Sequence, residues 1–433
     1  MRLNVTPVRY QEQTFGGAPA MRMTAEEALR RSVASCLLWE REFYEEGEDI
    51  AKRIMRFADE VPAETVANLA IEARSSFNLR HVPLLLLVAL AKRGGPLVGE
   101  TIAKVIQRAD EPGELLSIYW KDGKRPLSKQ LKLGLAKALR RFDAYQLAKY
   151  NRDSAVKLRD VLFMVHAKPK DDEQAEVWRK LVAGELEAPD TWEVALSGGA
   201  DKRETFERLM REGNLGYLAL LRNLRNMVEA GCDAGLVRDA IVARKNGAQR
   251  VLPFRYVAAA RAAPQFEPAI DQALSEAIAD MKALPGKTAV LVDVSGSMDE
   301  RLSAKSDLKR IDAAAALASI IPGDVRVFTF SNAVVEVPPR SGMAGVDVVI
   351  KSQPHGGTKL AGAVAAINAQ VPYDRLIVIT DEQSTSRRPV PPPKARGYMI
   401  NVASAKNGVG YGPWTHIDGF SEAVLRFIAE HER

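Results

Sequence analysis

Five oxygen-bearing side chains in three short segments could hold one divalent cation. The run Asp293-Val294-Ser295-Gly296-Ser297 places a carboxylate and two hydroxyls on a tight turn that Gly296 allows to close. Thr358 follows the glycine turn His355-Gly356-Gly357, and Asp381 follows the apolar run Arg375 to Thr380. All five are hard-oxygen donors, which suit magnesium, manganese or calcium. A set with few carboxylates, leaving room for waters, favours magnesium. The competing reading is a serine-rich cap for the following helix, since Ser and Thr favour that position anyway. Lys359, directly after Thr358, would weaken cation binding unless its side chain points away. His355 is the only histidine nearby in sequence, and a histidine in a glycine turn is more often a surface residue or hydrogen-bond donor than a base. The chain has no G-x-x-x-x-G-K-[ST] loop, H-E-x-x-H helix or G-x-S-x-G elbow, so binding is favoured over catalysis.

A second group of residues carries charge. Between Thr101 and Lys170 there are 16 basic and 7 acidic residues, a local excess of +9 against +6 for the whole chain. Such asymmetry is what a phosphate-binding face requires, because affinity for nucleic acid rises with each phosphate neutralised and counterion released. A solvated helical face is the bland alternative. The rest of the composition is ordinary: 46% hydrophobic and 27% charged residues, in a chain of 433 that calls for two or three domains. The longest apolar run, Val82 to Ala91, is half of the roughly 20 residues a membrane-spanning helix needs. Met1 to Ala20 has no apolar stretch of the kind a secretory leader carries, and Cys36 and Cys232 form no CxxC pattern. No membrane association is expected, and the cytoplasm is the default compartment.

These residues must be positioned by two kinds of element. From Thr24 to about Ala283 apolar residues recur at helical spacing, in Ala28–Trp39, Ala63–Arg74, Val82–Lys92, Gly99–Arg108, Leu127–Arg141, Asp201–Arg211, Leu215–Ala230 and Leu236–Arg244. Breaks are expected at Gly94-Gly95-Pro96, Glu111-Pro112-Gly113, Asp122-Gly123-Lys124, Gly198-Gly199 and Gly213-Asn214. Medium helices joined by short turns predict a stack of helix pairs sharing one core. At Leu284-Pro285-Gly286 the pattern changes. Strand-like runs at Thr288–Val294, Val325–Phe330, Arg375–Thr380 and Tyr398–Val402 are separated by helical stretches at Asp312–Ile321 and Lys359–Ala369. Strand and helix in alternation predict a doubly wound, mostly parallel sheet. The expected organisation is thus multidomain: an all-α HEAT-like helical repeat over 1–283, then an α/β domain over 284–433. In an open α/β sheet, ligands collect at the carboxyl ends of the strands, so the three oxygen-bearing segments should converge.

The DxSxS run with its later Thr and Asp resembles the metal-ion-dependent adhesion site of von Willebrand A domains. That resemblance implies a cation held by the serines and threonine, with the aspartates acting directly or through water. One position would stay open for a partner's carboxylate. The pairing of a helical repeat with such a domain resembles the Ro autoantigen family of TROVE-domain RNA-binding proteins, as a compact bacterial or phage-type member. The stretches that carry it are Gly17-Ala18-Pro19, Arg31-Ser32-Val33 through Leu37-Leu38-Trp39-Glu40, His81-Val82-Pro83, Arg159-Asp160 through His166-Ala167-Lys168-Pro169, Thr191-Trp192-Glu193, Leu221-Arg222-Asn223-Leu224 and Leu252-Pro253-Phe254-Arg255-Tyr256.

The resemblance implies a non-catalytic, monomeric ring of helical repeats bridged by the A domain. Small structured Y RNA would bind outside, and single-stranded ends of misfolded RNA would enter a basic hole. A 3′-to-5′ exoribonuclease would be tethered through the RNA. By motif, Lys149, Arg152, Arg159, His166 and Lys168 fall where relatives touch Y RNA, although Met164-Val165 stands where relatives often carry Leu-Ser. Lysine and arginine would neutralise phosphates and His166 would bond to or stack on a base, its alternative being a histidine packed before the Lys168-Pro169 helix stop. Arg222, Arg225, Arg244, Lys245 and Arg250 could line the ring, although a solvated helix flank is the commoner meaning of any one of them. Trp39, Trp178 and Trp192 read as core residues. Two further readings compete: a metal-dependent protein adaptor that binds no RNA, and metal-assisted RNA hydrolysis, which lacks a base and a second metal.

Overall fold

The structure is a computed structural model that describes residues 13–14, 16–20, 23–34, 47–76, 79–151, 154–251, 253–279, 281–302, 308–403, 405, 407–410, 412–418, 424–425, 428 and 432. Cys36, Trp39 and Arg152 lie outside them. The chain divides into two compact units, 47–251 and 1–46 together with 252–433. The sequence pattern changes at Leu284, where the first strand begins. The helices Pro253–Ala262 and Glu267–Ala279 nevertheless belong to the compact unit that contains the sheet.

The 47–251 unit is all helix. Its elements run from Gly47–Glu60 to Ala234–Ala243, and most pack mainly on neighbours one or two helices away in sequence, as expected of stacked helix pairs. The helix His81–Arg93 sits at the centre of the first stack, with Val82 to Ala91 all buried. The sequence marks many helix starts with an aspartate. Asp143, Asp171, Asp201 and Asp233 each accept a hydrogen bond from the backbone amide three residues on. One expected break is instead a beginning: Glu111-Pro112-Gly113 opens the helix Glu111–Tyr119. Proline is tolerated in a first turn because its missing amide has no intrahelical partner there. Gly113 lets that turn press against the chain at Val156, where a Cβ would lie 2.5 Å from the carbonyl oxygen. The buried Glu111 carboxylate takes the amides of Gln107 and Arg108 at 2.7 and 3.0 Å, which is why the preceding helix stops at Val105 rather than running to Arg108.

The other unit is built on a six-stranded sheet of order β3-β2-β1-β4-β5-β6. The strands are β1 (Leu284–Asp293), β2 (Gly323–Phe330), β3 (Val334–Val337), β4 (Arg375–Thr380), β5 (Arg396–Asn401) and β6 (Thr415–Asp418). All neighbours are parallel except β2 and β3. This is the doubly wound α/β fold that the alternating pattern predicts. Two strands and a helix escape that pattern: β3 and β6 are four residues long, and Gly342–Ile350 adds a helix between β3 and β4. Every residue of β4 is buried, as a strand covered on both faces must be. Leu291, Phe328, Phe330, Leu360, Val364, Leu376, Val378 and Met399 form one core on one side of the sheet.

Candidate metal centre and nucleic-acid interface

The strand order reverses direction across the β1–β4 pair, and a parallel sheet opens a crevice at the carboxyl ends of such a pair. Asp293 ends β1 and Asp381 follows β4, so both carboxylates fall at that point, and both are completely buried. The Asp293 carboxylate is fixed by the Ser295 amide at 2.9 Å and the Thr380 hydroxyl at 2.6 Å. Asp381 accepts the Gln383 amide at 3.0 Å. Ser295 and Ser297 share a 3.3 Å contact between their hydroxyls. The first loop and the glycine turn are joined by a 2.9 Å bond from the Gly296 amide to the Gly356 carbonyl. Thr358 is buried, and its carbonyl is held by the Thr385 amide at 3.0 Å. All three expected segments therefore meet, while Lys359 is exposed.

Two carboxylates are thus buried at one point. Burial, and then the Asp381 carboxylate, push the Asp293 carboxyl up to about 7 against the hydrogen bonds that stabilise its charged form. A divalent ion between two such carboxylates would offset both penalties. Of the five candidate donors, two are carboxylates and three are hydroxyls. Among the described residues no group of three or more His, Cys, Asp or Glu could hold a metal. His355 is not a loose surface residue: Nδ1 lies 2.5 Å from Asp299 and Nε2 2.9 Å from the Ile350 carbonyl. It braces the glycine turn against the loop that carries Ser297. Burial lowers the imidazole, but the Ile350 carbonyl and Asp299 outweigh it and raise it.

The loop after β4 is held on its far side by a segment that nothing in the sequence pattern connects to it. Thr14 donates its hydroxyl to the Ser384 carbonyl at 2.8 Å, and the Ala18 amide reaches the same oxygen at 3.3 Å. Gly16 permits this approach, since a Cβ would lie 2.5 Å from the Gln383 carbonyl oxygen. Arg31, on the helix Ala25–Ala34, donates to the Glu382 carboxylate and to the Ala405 and Asn407 carbonyls, the latter two at 2.8 Å.

The basic candidates lie elsewhere, on the helical unit. Lys149 is half-buried on the helix Ala144–Tyr150, with its ammonium 5.7 Å from the centre of the Tyr145 ring. Arg159 is exposed in the first turn of Leu158–Met164 and lies 3.8 Å from Asp160. His166 is exposed, not packed, and has a left-handed backbone with φ 53°. Lys168 is exposed, and its carbonyl is gripped by Arg140 at 2.9 Å. Arg222 and Arg225 lie on the helix Tyr217–Glu229. Arg244 caps Ala234–Ala243 with φ 46°, and Lys245 follows it. Arg250 ends a short 3-10 turn, Ala248–Arg250. Trp178 is buried as a core residue would be, whereas Trp192 is half-buried and stacks on Phe206 at 6.2 Å between centroids.

Residues 173–277 match the TROVE domain family model. Among solved structures, the chain is similar to the crystal structure of the Deinococcus radiodurans RO (RSR) protein, with 18% identity and a TM-score of 0.64 over 95% of this chain and 100% of that one. One segment of the chain thus resembles the TROVE domain, and the chain as a whole shares the fold of the RO (RSR) protein. No curated protein sequence matches it.

The TROVE match contains Arg222, Arg225, Arg244, Lys245 and Arg250; the stretch from Lys149 to Lys168 and the five oxygen donors lie outside it. Sequence reasoning also missed the helix Lys129–Leu139 as a cationic surface, on which Lys129, Leu133 and Lys137 are all exposed at a spacing of four. Its lysines count in the local excess of charge, and their shared face could have been found from that spacing. No described helix is long and apolar enough to cross a membrane.

Proposed function

We propose that this chain is a non-catalytic RNA-binding scaffold of the cytoplasm. It would bind a small structured, Y-like noncoding RNA and the single-stranded ends of misfolded RNA, and serve as an adaptor for a 3′-to-5′ exoribonuclease in RNA quality control. The observation that carries this reading is the grouping of Arg159, His166 and Lys168, with Lys149 one helix earlier, inside the segment of greatest positive charge. His166 adds weight, because a non-glycine residue in the left-handed region is a local strain that folds retain where the side chain is used. Arginine and lysine would meet phosphates, and the imidazole an unpaired base.

In the same reading Asp293, Ser295, Ser297, Thr358 and Asp381 hold one divalent ion, with magnesium favoured over manganese or calcium. Two buried carboxylates and three hydroxyls fit a small hard cation that keeps some of its water. Bound there, the ion would offer one open position to a carboxylate from a partner. The two activities are separable, since the RNA residues and the oxygen donors belong to different compact units.

The test is affinity for a structured RNA across a salt series, with magnesium or with chelator. Binding should weaken steeply with salt and be indifferent to the chelator. A flat salt response, or clean protein that instead captures a protein partner only when magnesium is present, would favour the metal-dependent adaptor that binds no RNA.

A further inference from the structure

Among the described residues only two aromatic side chains are exposed, Tyr145 at 50% and Phe163 at 62%. Both fall between Lys121 and Lys170, a stretch with 14 basic and 4 acidic residues. Each shares a helix with a cation four positions away, which puts the pair on one face: Tyr145 with Lys149 on Ala144–Tyr150, and Phe163 with Arg159 on Leu158–Met164. The Lys149 ammonium already lies over the Tyr145 ring at 5.7 Å. Leu158, Val161 and Leu162, on the same helix as Phe163, turn into the core instead, and Met164 is half-buried. Phe163 adds little to that core, so packing gives no reason for a phenyl ring there.

We propose that Phe163 and Tyr145 are base-stacking residues that make this basic surface prefer unpaired nucleotides over duplex. A ring beside a cation offers a nucleotide two contacts at once, a flat apolar face for the base and a charge for its phosphate. Any unpaired base can use the ring, whereas a base inside an A-form duplex has both faces covered by its neighbours. The cations alone would not discriminate in this way, since they read phosphates that both forms present. The inference rests on the proposed RNA binding and adds which part of the RNA the surface selects.

The experiment measures affinity of the full chain for a fluorescent oligouridylate and for a blunt RNA duplex of equal phosphate count, each across a salt series. F163A and Y145A should each weaken oligouridylate binding by about fivefold or more, the lower end of what loss of one stacking platform causes. Duplex binding and both salt slopes should stay at the wild-type values, because no charge is removed. F163W should restore the single-strand preference. L133A is the control for loss of exposed apolar surface, since Leu133 is 51% exposed on a neighbouring cationic helix but has no ring; it should change nothing. If wild type binds neither RNA, the RNA-scaffold reading itself falls. If wild type binds, but F163A and Y145A leave oligouridylate binding intact, weaken both RNAs equally, or do no more than L133A, the stacking role is overturned while the scaffold reading stands.

Discussion

Arg31 and Glu382, 351 positions apart, form an ion pair in which neither side chain reaches solvent. Glu382 directly follows Asp381, so the pair ties the helix Ala25–Ala34 to the loop that carries a proposed metal ligand. Burial alone would raise the Glu382 carboxyl, but His416 and Arg31 outweigh it and hold it down at about 2. Truncation to R31A leaves that carboxylate buried with half its compensation and strands two carbonyls. It should cost about 3–5 kcal/mol in urea unfolding of the sheet-containing unit, and R31K less. An R31A midpoint equal to wild type would show that the pair contributes nothing to holding this loop.

The oxygen donors divide into those the fold also uses and those it does not. Asp293 anchors the Ser295 amide and the Thr380 hydroxyl, whereas Ser297 is partly exposed and its hydroxyl meets that of Ser295. S297A should therefore melt like wild type in chelator yet lose most of the stabilisation that magnesium gives wild type, about 2.7 kcal/mol at a hundredfold excess over the dissociation constant. D293A should fail in both conditions. Full magnesium stabilisation in S297A, measured by thermal melts with and without the ion, would remove Ser297 from the ligand set.

Charge reversal tests where RNA binds. The pair K149E and R159E should weaken structured-RNA binding and lower the salt slope by about one unit for each phosphate no longer neutralised, by analogy with the DNA relation. Lys394 and Arg388 serve as surface controls on the other unit. Arg396 does not, because it is bonded to Glu432 at 3.0 Å and its reversal would disturb the fold. Equal damage from both pairs would mean that general basicity, not this surface, attracts RNA.

Glu207 links the helical unit to pH. The Asp233 amide, Arg203 and Arg211 hold its carboxyl down at about 2. A depressed carboxyl contributes stability above its unfolded value, near 4.3, and that contribution disappears as pH falls through the folded value. The gap between wild type and E207Q in urea unfolding should thus be widest at neutral pH and close as pH falls from about 4 toward 2. A gap that does not change with pH would assign the residue's effect to packing.

How much of the molecule was legible in the sequence depended on whether local spacing or distant contact carried the information. Asp293, Ser295 and Ser297 announce themselves because their spacing is a turn, and the β-branched runs before Asp293 and Asp381 make the strands that bring them together. The short edge strands were hidden, since four residues give too little alternation to distinguish a strand from a loop. The grip of Thr14, Gly16 and Arg31 on the loop from Glu382 to Ser384 was invisible for another reason: nothing near Arg31 names a partner more than three hundred residues away. The Glu111-Pro112-Gly113 run points to a break on sequence alone because proline and glycine punctuate a helix start as readily as its end.

His166 separates binding from stability most cleanly. It closes the helix Leu158–Met164 in the left-handed conformation: the Val165 amide reaches the Val161 carbonyl at 3.0 Å, that of His166 reaches Phe163 at 3.2 Å and that of Ala167 reaches Leu162 at 3.2 Å. This is a helix ending that favours glycine, and a side chain held there costs about 1 kcal/mol or more. His166 is exposed and so has little packing to lose. H166G should therefore be as stable as wild type or up to about 1 kcal/mol more so, the relieved strain being partly offset by the greater freedom of glycine in the unfolded chain. H166V should be the less stable variant, because a β-branched residue resists a positive φ. Both should bind structured RNA more weakly than wild type with nearly unchanged salt slopes, as an imidazole acts by hydrogen bonding or stacking rather than by counterion release. Parallel urea unfolding and RNA titration decide the matter. If H166G is destabilised, the helix does not end in a left-handed cap at this residue; if it is stable and binds RNA as wild type does, the strained histidine is not there for RNA.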